Sequence, residues 1–435
     1  MKKVVAFIIF ISVFLSFSRL FSQEKGDSIV LGKDSVAKKR DCPQKDILDL
    51  IFRNRKPVNE HEKRFSALVF PYIGYTPVTQ FQFGAGGSFS WHLGDPSVTS
   101  LSAGTVSATI TTEKQFIAQL KTNLYTSRNL WFLKGDWRFY KFNIATFGLG
   151  TGNSFVVPPM PPLVIDESDY EKLNGRYPMK YNWLKIHEIV TRKIVNNVYA
   201  GIGYHLDYHY DINDEALSLD SSDLLITPHY AYCKLNGFST DAYTSAGLSL
   251  NLVYDSRDNI INPYRGLFVD INYRYNFLFL GSDKNGSQLW TEFRTYIGLS
   301  KRFPRHLLAF WMFGSFVVGG KIPYLDLMAT GFDQMNSSGR GYIQGRWRGE
   351  NFVYGEVEYR FPISQCSKIL GGVLFLNATT ASNNATGIPL FGYVKPAAGA
   401  GLRIMLTKQN RLNLLIDIAI GEKSHGFYAQ TSEVF

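Results

Sequence analysis

Cysteine is nearly absent: Cys42, Cys233 and Cys366 are the only three in 435 residues. Their odd number and wide spacing suggest neither a disulfide framework nor a zinc knuckle. None of them follows the N-terminal apolar stretch where a lipid anchor would be attached. Long apolar runs are as scarce. After residue 17, Lys, Arg, Asp or Asn interrupts the chain too often for a helix of the ~20 apolar residues a bilayer crossing needs. No block of one charge sign occurs. The formal net charge of +10 is spread over interspersed acids and bases, which argues against nucleic acid as a partner and for a polar interior plus contact with lipid headgroups. There is no Gly-x-Ser-x-Gly elbow, and Gly339, Gly341 and Gly345 lack dinucleotide-loop spacing. A lipid hydrolase would need Ser and His from adjacent strands, and nothing positive supports one. No catalytic residue and no cofactor are assigned, and an enzyme is not expected.

The N-terminus reads as a secretory signal peptide over 1–22: Lys2 and Lys3, an apolar stretch from Val4 to Phe17, then small or polar residues. Residues 23–65 form a short polar leader with 11 Lys or Arg and 8 Asp or Glu. Within it, 44–56 has helical spacing, with Ile47, Leu50 and Ile51 on one side. Asp46 and Asp49 come early and Arg53, Arg55 and Lys56 late, which suits the helix dipole.

From residue 66 to 435 the pattern turns to period two. In Gly266 to Phe279, Leu267, Val269, Ile271, Tyr273 and Tyr275 alternate with Phe268, Asp270, Asn272, Arg274 and Asn276. Arg411 to Ala419 and Val353 to Phe361 repeat it. A soluble sandwich would alternate in the same way. The export signal, the aromatic residues at strand ends and strands of ten or more residues favour a transmembrane antiparallel β-barrel. Sixteen strands can be counted, the last over 426–435, and the fold is all-β. Three long connections, 150–179, 213–240 and 320–350, are placed outside the cell. Parity lines the lumen with both signs, among them Lys134, Asp136, Arg138, Asp270, Arg274, Arg403 and Asp417, which suggests cross-strand ion pairs and a plugged interior. His205, Asp207 and His209 share a face, but neighbours at that spacing lie about 7 Å apart, and no metal site is assigned.

Two motifs carry a family resemblance. Asp255, Arg257 and Asp258, then Pro263 and Gly266, match a D-x-R-D turn with a downstream P-x-x-G. Gly339-Arg340-Gly341-Tyr342 lies in the long connection before the strand at 351. Together with Phe435 as an aromatic strand end, these make the chain resemble the bacterial surface antigen superfamily, the BamA-like and TamA-like outer-membrane barrels. The resemblance implies that the Arg340 loop folds into the lumen and docks on acidic or polar wall residues, for which Glu356, Glu358 and Asn377 are candidates. Gly339 replaces the usual branched residue, and Asn377 stands where many relatives carry Asp. Both departures predict looser docking, or docking through Glu356 and Glu358 instead. Arg348, by contrast, is not expected to dock inside.

The family's assembly factors carry periplasmic POTRA domains, each of roughly 70–80 residues, and 23–65 cannot hold one. The resemblance is therefore to a branch lacking them. It implies an integral outer-membrane protein that contacts outer-membrane lipid and assists insertion, translocation or surface display of a protein or lipid partner. The implied route is a lateral seam between first and last strands, with Gly84, Gly86 and Gly87 close to it. A passive pore and a structural partner of another outer-membrane machine are the alternatives.

Overall fold

In the computed structural model, sixteen strands close on themselves. The structure describes residues 45–51, 65–152, 173–220, 222–301, 303–364, 369–408, 411–431 and 433–435. The signal peptide, the leader and its helix outside 45–51, Cys42 and Cys366 lie outside the described residues. The strands are β1 (Phe65–Thr76), β2 (Gln80–Trp91), β3 (Ser102–Thr111), β4 (Phe116–Tyr125), β5 (Trp131–Thr146), β6 (Tyr177–Val195), β7 (Val198–Asp214) and β8 (Tyr243–Asp255). They continue as β9 (Gly266–Asn276), β10 (Gly286–Gly298), β11 (Leu307–Gly320), β12 (Asn351–Pro362), β13 (Leu370–Ala381), β14 (Lys395–Thr407), β15 (Leu412–Gly421) and β16 (Ser424–Thr431). Each pairs antiparallel with the next, and β1 meets β16. Among the described residues no helix is long and apolar enough to cross a membrane, which says nothing about crossing by strands.

The alternation explains why a barrel forms. In β9 the side chains from Phe268 to Asn276 that carry polar or aromatic groups inward are buried, while Ile271 and Tyr273 face out and are exposed. Away from the β1–β16 junction, pairing from strand to strand satisfies the backbone groups, the condition for crossing a bilayer without a helix. Long connections 147–176, 215–242 and 321–350 each join an odd strand to an even one, so all three leave the same end. A helix α2 (Pro228–Asn236) sits in the second of them, capped by Thr227, whose hydroxyl accepts from the Tyr230 amide at 3.3 Å.

At the opposite end, a five-residue helix α1 (Ile47–Ile51) rests against the β14–β15 turn. The Lys408 amide donates to Asp46 at 2.9 Å, and its ammonium lies 2.9 Å from Asp49.

The sequence extends the last strand to Phe435, but β16 ends at Thr431 and the chain then turns inward. Val434 and Phe435 are buried, and the Phe435 ring lies 5.2 Å from Trp311 and 6.2 Å from Tyr296, both lumen residues. Glu433 supplies the reason. On the lipid face its carboxylate would be unpaired at high cost, whereas inside it meets Arg403 at 2.8 Å and Asn413 at 2.5 Å.

Candidate functional site

Loop 321–350 folds back into the lumen as an irregular hairpin. The Thr330 amide donates to the Trp347 carbonyl at 2.9 Å, and the Gly345 amide to the Thr330 carbonyl at 2.8 Å. At its apex Gly339 and Gly341 have φ of +75° and +105°, the left-handed region. A Cβ at Gly339 would lie 2.0 Å from Thr330 Cγ2, and one at Gly341 2.7 Å from Ala397 Cβ. A branched residue before Arg340 does not fit this backbone, so Gly339 is part of how the loop turns.

Arg340 is buried and reaches three carboxylates, Glu356 and Glu358 on β12 and Asp417 on β15. Its guanidinium also lies 3.5 Å from the centre of the Phe375 ring. Asn377 takes a different role from the others, since its amide donates to the Arg340 backbone carbonyl at 2.9 Å. The Gly341 amide donates to the Tyr428 hydroxyl at 2.9 Å, and the Tyr342 hydroxyl to the Pro396 carbonyl at 2.7 Å. The loop apex is thus fastened to β12, β13, β14, β15 and β16 together.

The carboxylates are shared with other cations. Arg360 lies 2.6 Å from Glu358, and Arg403 lies 2.5 Å from Asp417 and 2.8 Å from Glu433. Three guanidiniums therefore face four carboxylates in an enclosed volume where planar donors match paired oxygens. Parity places Asp417 in the lumen, but nothing in its sequence neighbourhood ties it to Arg340. Tyr428 and Phe375 carry no such signal either.

The opposite wall holds the same loop. Arg138 on β5 forks onto Asp136 at 2.7 and 2.8 Å and donates to the carbonyls of Asp333 and Gln334, each at 3.2 Å. It also meets Asn336 at 2.5 Å. Nearer the loop's start, the Ser245 hydroxyl lies 2.5 Å from Asp326 and the His209 ring 3.3 Å from it. Arg348 also corrects the sequence reading: it is buried inside, donating to the carbonyls of Tyr324, Leu325 and Leu327 at 3.1, 3.0 and 2.8 Å. It braces the loop internally instead of binding the wall.

Several lumen pairs are not cross-strand. Asp136 with Arg138, Glu292 with Arg294, and Glu358 with Arg360 lie two residues apart on one strand, at 2.7, 2.6 and 2.6 Å. Same-face neighbours at that spacing come within reach of an arginine's long stem. His205, Asp207 and His209 each have a separate partner. His205 bonds Ser249 at 2.7 Å, Asp207 meets His187 at 2.8 Å and Arg274 at 2.6 Å, and His209 stacks on Trp183. Among the described residues no three His, Cys, Asp or Glu side chains are grouped to hold a metal ion.

The D-x-R-D turn, 256–265, closes the other end. Arg257 lies 2.7 Å from Asp255, which also accepts from the Tyr125 hydroxyl at 2.7 Å. Asp258 accepts from the Tyr264 and Arg265 amides at 2.9 and 3.3 Å and pairs with Arg411 at 2.8 Å. Pro263 sits inside this turn and Gly266 opens β9. Asn262 donates to the Arg411 carbonyl at 3.2 Å and to Glu433 at 3.4 Å. The turn therefore crosses beneath the lumen, from β8 and β9 to the β14–β15 turn.

A family model described as the Omp85 superfamily domain matches residues 107–433. No curated protein matches the chain. Among solved structures, BamA from Haemophilus ducreyi lacking POTRA domains 1–3 is similar over 85% of this chain and 70% of its own, at 17% identity and a TM-score of 0.51. CdiB from Acinetobacter baumannii is similar over 85% of this chain and 60% of its own, at 12% identity and 0.48. For CdiB from Escherichia coli the figures are 85%, 63%, 9% and 0.47. The first of these shares the sixteen-stranded barrel fold with this chain, and the chain spans 60% to 70% of the length of the three.

Proposed function

Because this chain belongs to the Omp85 superfamily, we propose that it is an integral outer-membrane protein that assists insertion, translocation or surface display of a protein or lipid, acting through the seam between β1 and β16. The carrying observation is the pairing at that seam. β1 pairs with β2 at twelve positions, from Phe65 with Trp91 to Thr76 with Gln80, but among the described residues it pairs with β16 only at Tyr75 with Ala429. One ring contact, Tyr75 to Phe427 at 5.7 Å, spans the junction. An edge held this lightly opens at lower cost than any other strand pair in the sheet, and the exposed backbone groups of β1 are a template for an incoming strand.

The proposal contains no catalytic step. A thiol, imidazole and carboxylate do line up in the β7–β8 connection: Cys233 Sγ lies 3.4 Å from His229 Nε2, and His229 Nδ1 lies 3.4 Å from Asp214. Burial pushes the Cys233 thiol up to about 12, away from a nucleophilic thiolate, and leaves it without exposed surface.

The test is a disulfide lock in a background without the three native cysteines. Tyr75→Cys with Ala429→Cys should abolish the appearance of dependent surface components, with recovery on reduction. Leu250→Cys with Tyr273→Cys, a registered pair on β8 and β9, should leave it unchanged. Full function with the seam locked and the disulfide verified would sink the proposal.

A further inference from the structure

The outer wall of the barrel has a step. β3 and β4 are joined by the short turn 112–115, while β5, β6 and β7, of 16, 19 and 17 residues, rise past it. In the step lies a groove of about 620 Å³ lined by Lys114, Lys141, Asn143, Lys180, Asn182 and Asp211, with Glu113 beside them. Its height is fixed by register. Lys141 pairs with Phe116, whose ring lies 6.0 Å from Phe139 on the outward face, both being more than a third exposed. Such rings mark the boundary of the hydrocarbon layer. The groove starts just above it, at the end carrying the long connections, which faces the outside.

Its charges are available. Among the described residues neither Lys114 nor Lys141 has an ion-pair partner, and Lys180 pairs with Glu215 at an exposed position where such a pair exchanges easily. Asp211 accepts the Asn182 amide at 2.7 Å but keeps its charge, so Asp211 and Glu113 are the two carboxylates of the lining that a bound anion has to avoid, against three ammonium groups.

We propose that this groove binds the phosphate of an outer-leaflet lipid. Three ammonium groups at headgroup height suit phosphate, because Lys acts as a point charge that needs no fixed fork geometry. The acyl chains of the same molecule would lie against Phe116 and Phe139 immediately below. This inference rests on the outer-membrane placement of the barrel and not on the assembly role, so a locked seam leaves it untouched.

The test uses the full chain in detergent and native mass spectrometry, with diphosphoryl lipid A, lipid A stripped of its phosphates, and inorganic phosphate as probes. The wild type should retain diphosphoryl lipid A and not the stripped form. Lys114→Gln, Lys141→Gln and Lys180→Gln together should weaken retention by on the order of a hundredfold, with an unchanged β-sheet circular dichroism spectrum. Glu113→Gln should strengthen it, which keeps the test informative if the triple variant folds poorly. Equal retention of the two lipids, no loss in a folded triple variant, or displacement of the lipid by millimolar inorganic phosphate would overturn the proposal.

Discussion

Arg340 concentrates the chemistry of the lumen in one side chain. Its removal leaves Glu356, Glu358 and Asp417 facing one another with two guanidiniums, Arg360 and Arg403, still nearby. Breaking a buried pair from one side costs about 3–5 kcal/mol. Arg340→Ala is therefore expected to lower the urea midpoint of unfolding in detergent by that free energy, and Arg340→Lys to fall in between, since one ammonium cannot serve three carboxylates on two strands. Equal midpoints for Ala and Lys would show that shape, and not the fork of donors, holds the loop. At this scale parity and the resemblance put Glu356, Glu358 and Asn377 on the lumen side, and the structure has all three on Arg340. Gly339 reads from sequence as a weakening departure, because a sequence does not display the φ of +75° that only a residue without Cβ adopts at ease.

The elements show a loop held between two walls. Arg138 on β5 grips the carbonyls of Asp333 and Gln334, and Arg340 grips β12 and β15, a few residues along the same hairpin. If the hairpin docks as one unit, either anchor's loss weakens the other. Arg138→Ala and Arg340→Ala combined should then depart from additivity by about 1 kcal/mol or more in unfolding free energy. Additivity within about 0.5 kcal/mol would mean two independent clasps. The strands themselves are legible in the sequence, since period two sustained over ten or more residues marks a strand with one apolar face. The Arg138 clasp is not: Arg138 and Asn336 are far apart in sequence, and a long connection carries no periodicity to say where it folds. The inward turn after Thr431 leaves one mark in the sequence, a carboxylate at Glu433 on the face of Phe435, but where the chain goes is shown by the partners of Glu433, Arg403 and Asn413.

On the scale of the whole molecule, the barrel is obstructed twice. Loop 321–350 enters from one end, and turn 256–265 crosses the other, tied to Arg411 and Glu433. A cavity between the loop and the wall formed by β5, β6, β7, β9, β10 and β11 measures about 190 Å³, room for a few waters. The intact protein in a planar bilayer should therefore conduct little and intermittently, and deletion of 324–349 should raise conductance severalfold. A large, steady conductance indifferent to that deletion would favour a passive pore. Sixteen strands follow from the sequence pattern, whereas the uneven strength of the junctions does not, since it lies in the register between β1 and β16, which period two does not encode.

The fastening of α1 to Lys408 gives the leader a mechanical address. The β14–β15 turn sits at the foot of the hairpin that adjoins β16, so tension on the chain ahead of α1 is delivered two strands from the weakest junction. A load applied to α1 thus bears on the hem beside the β1–β16 junction and not on the far wall.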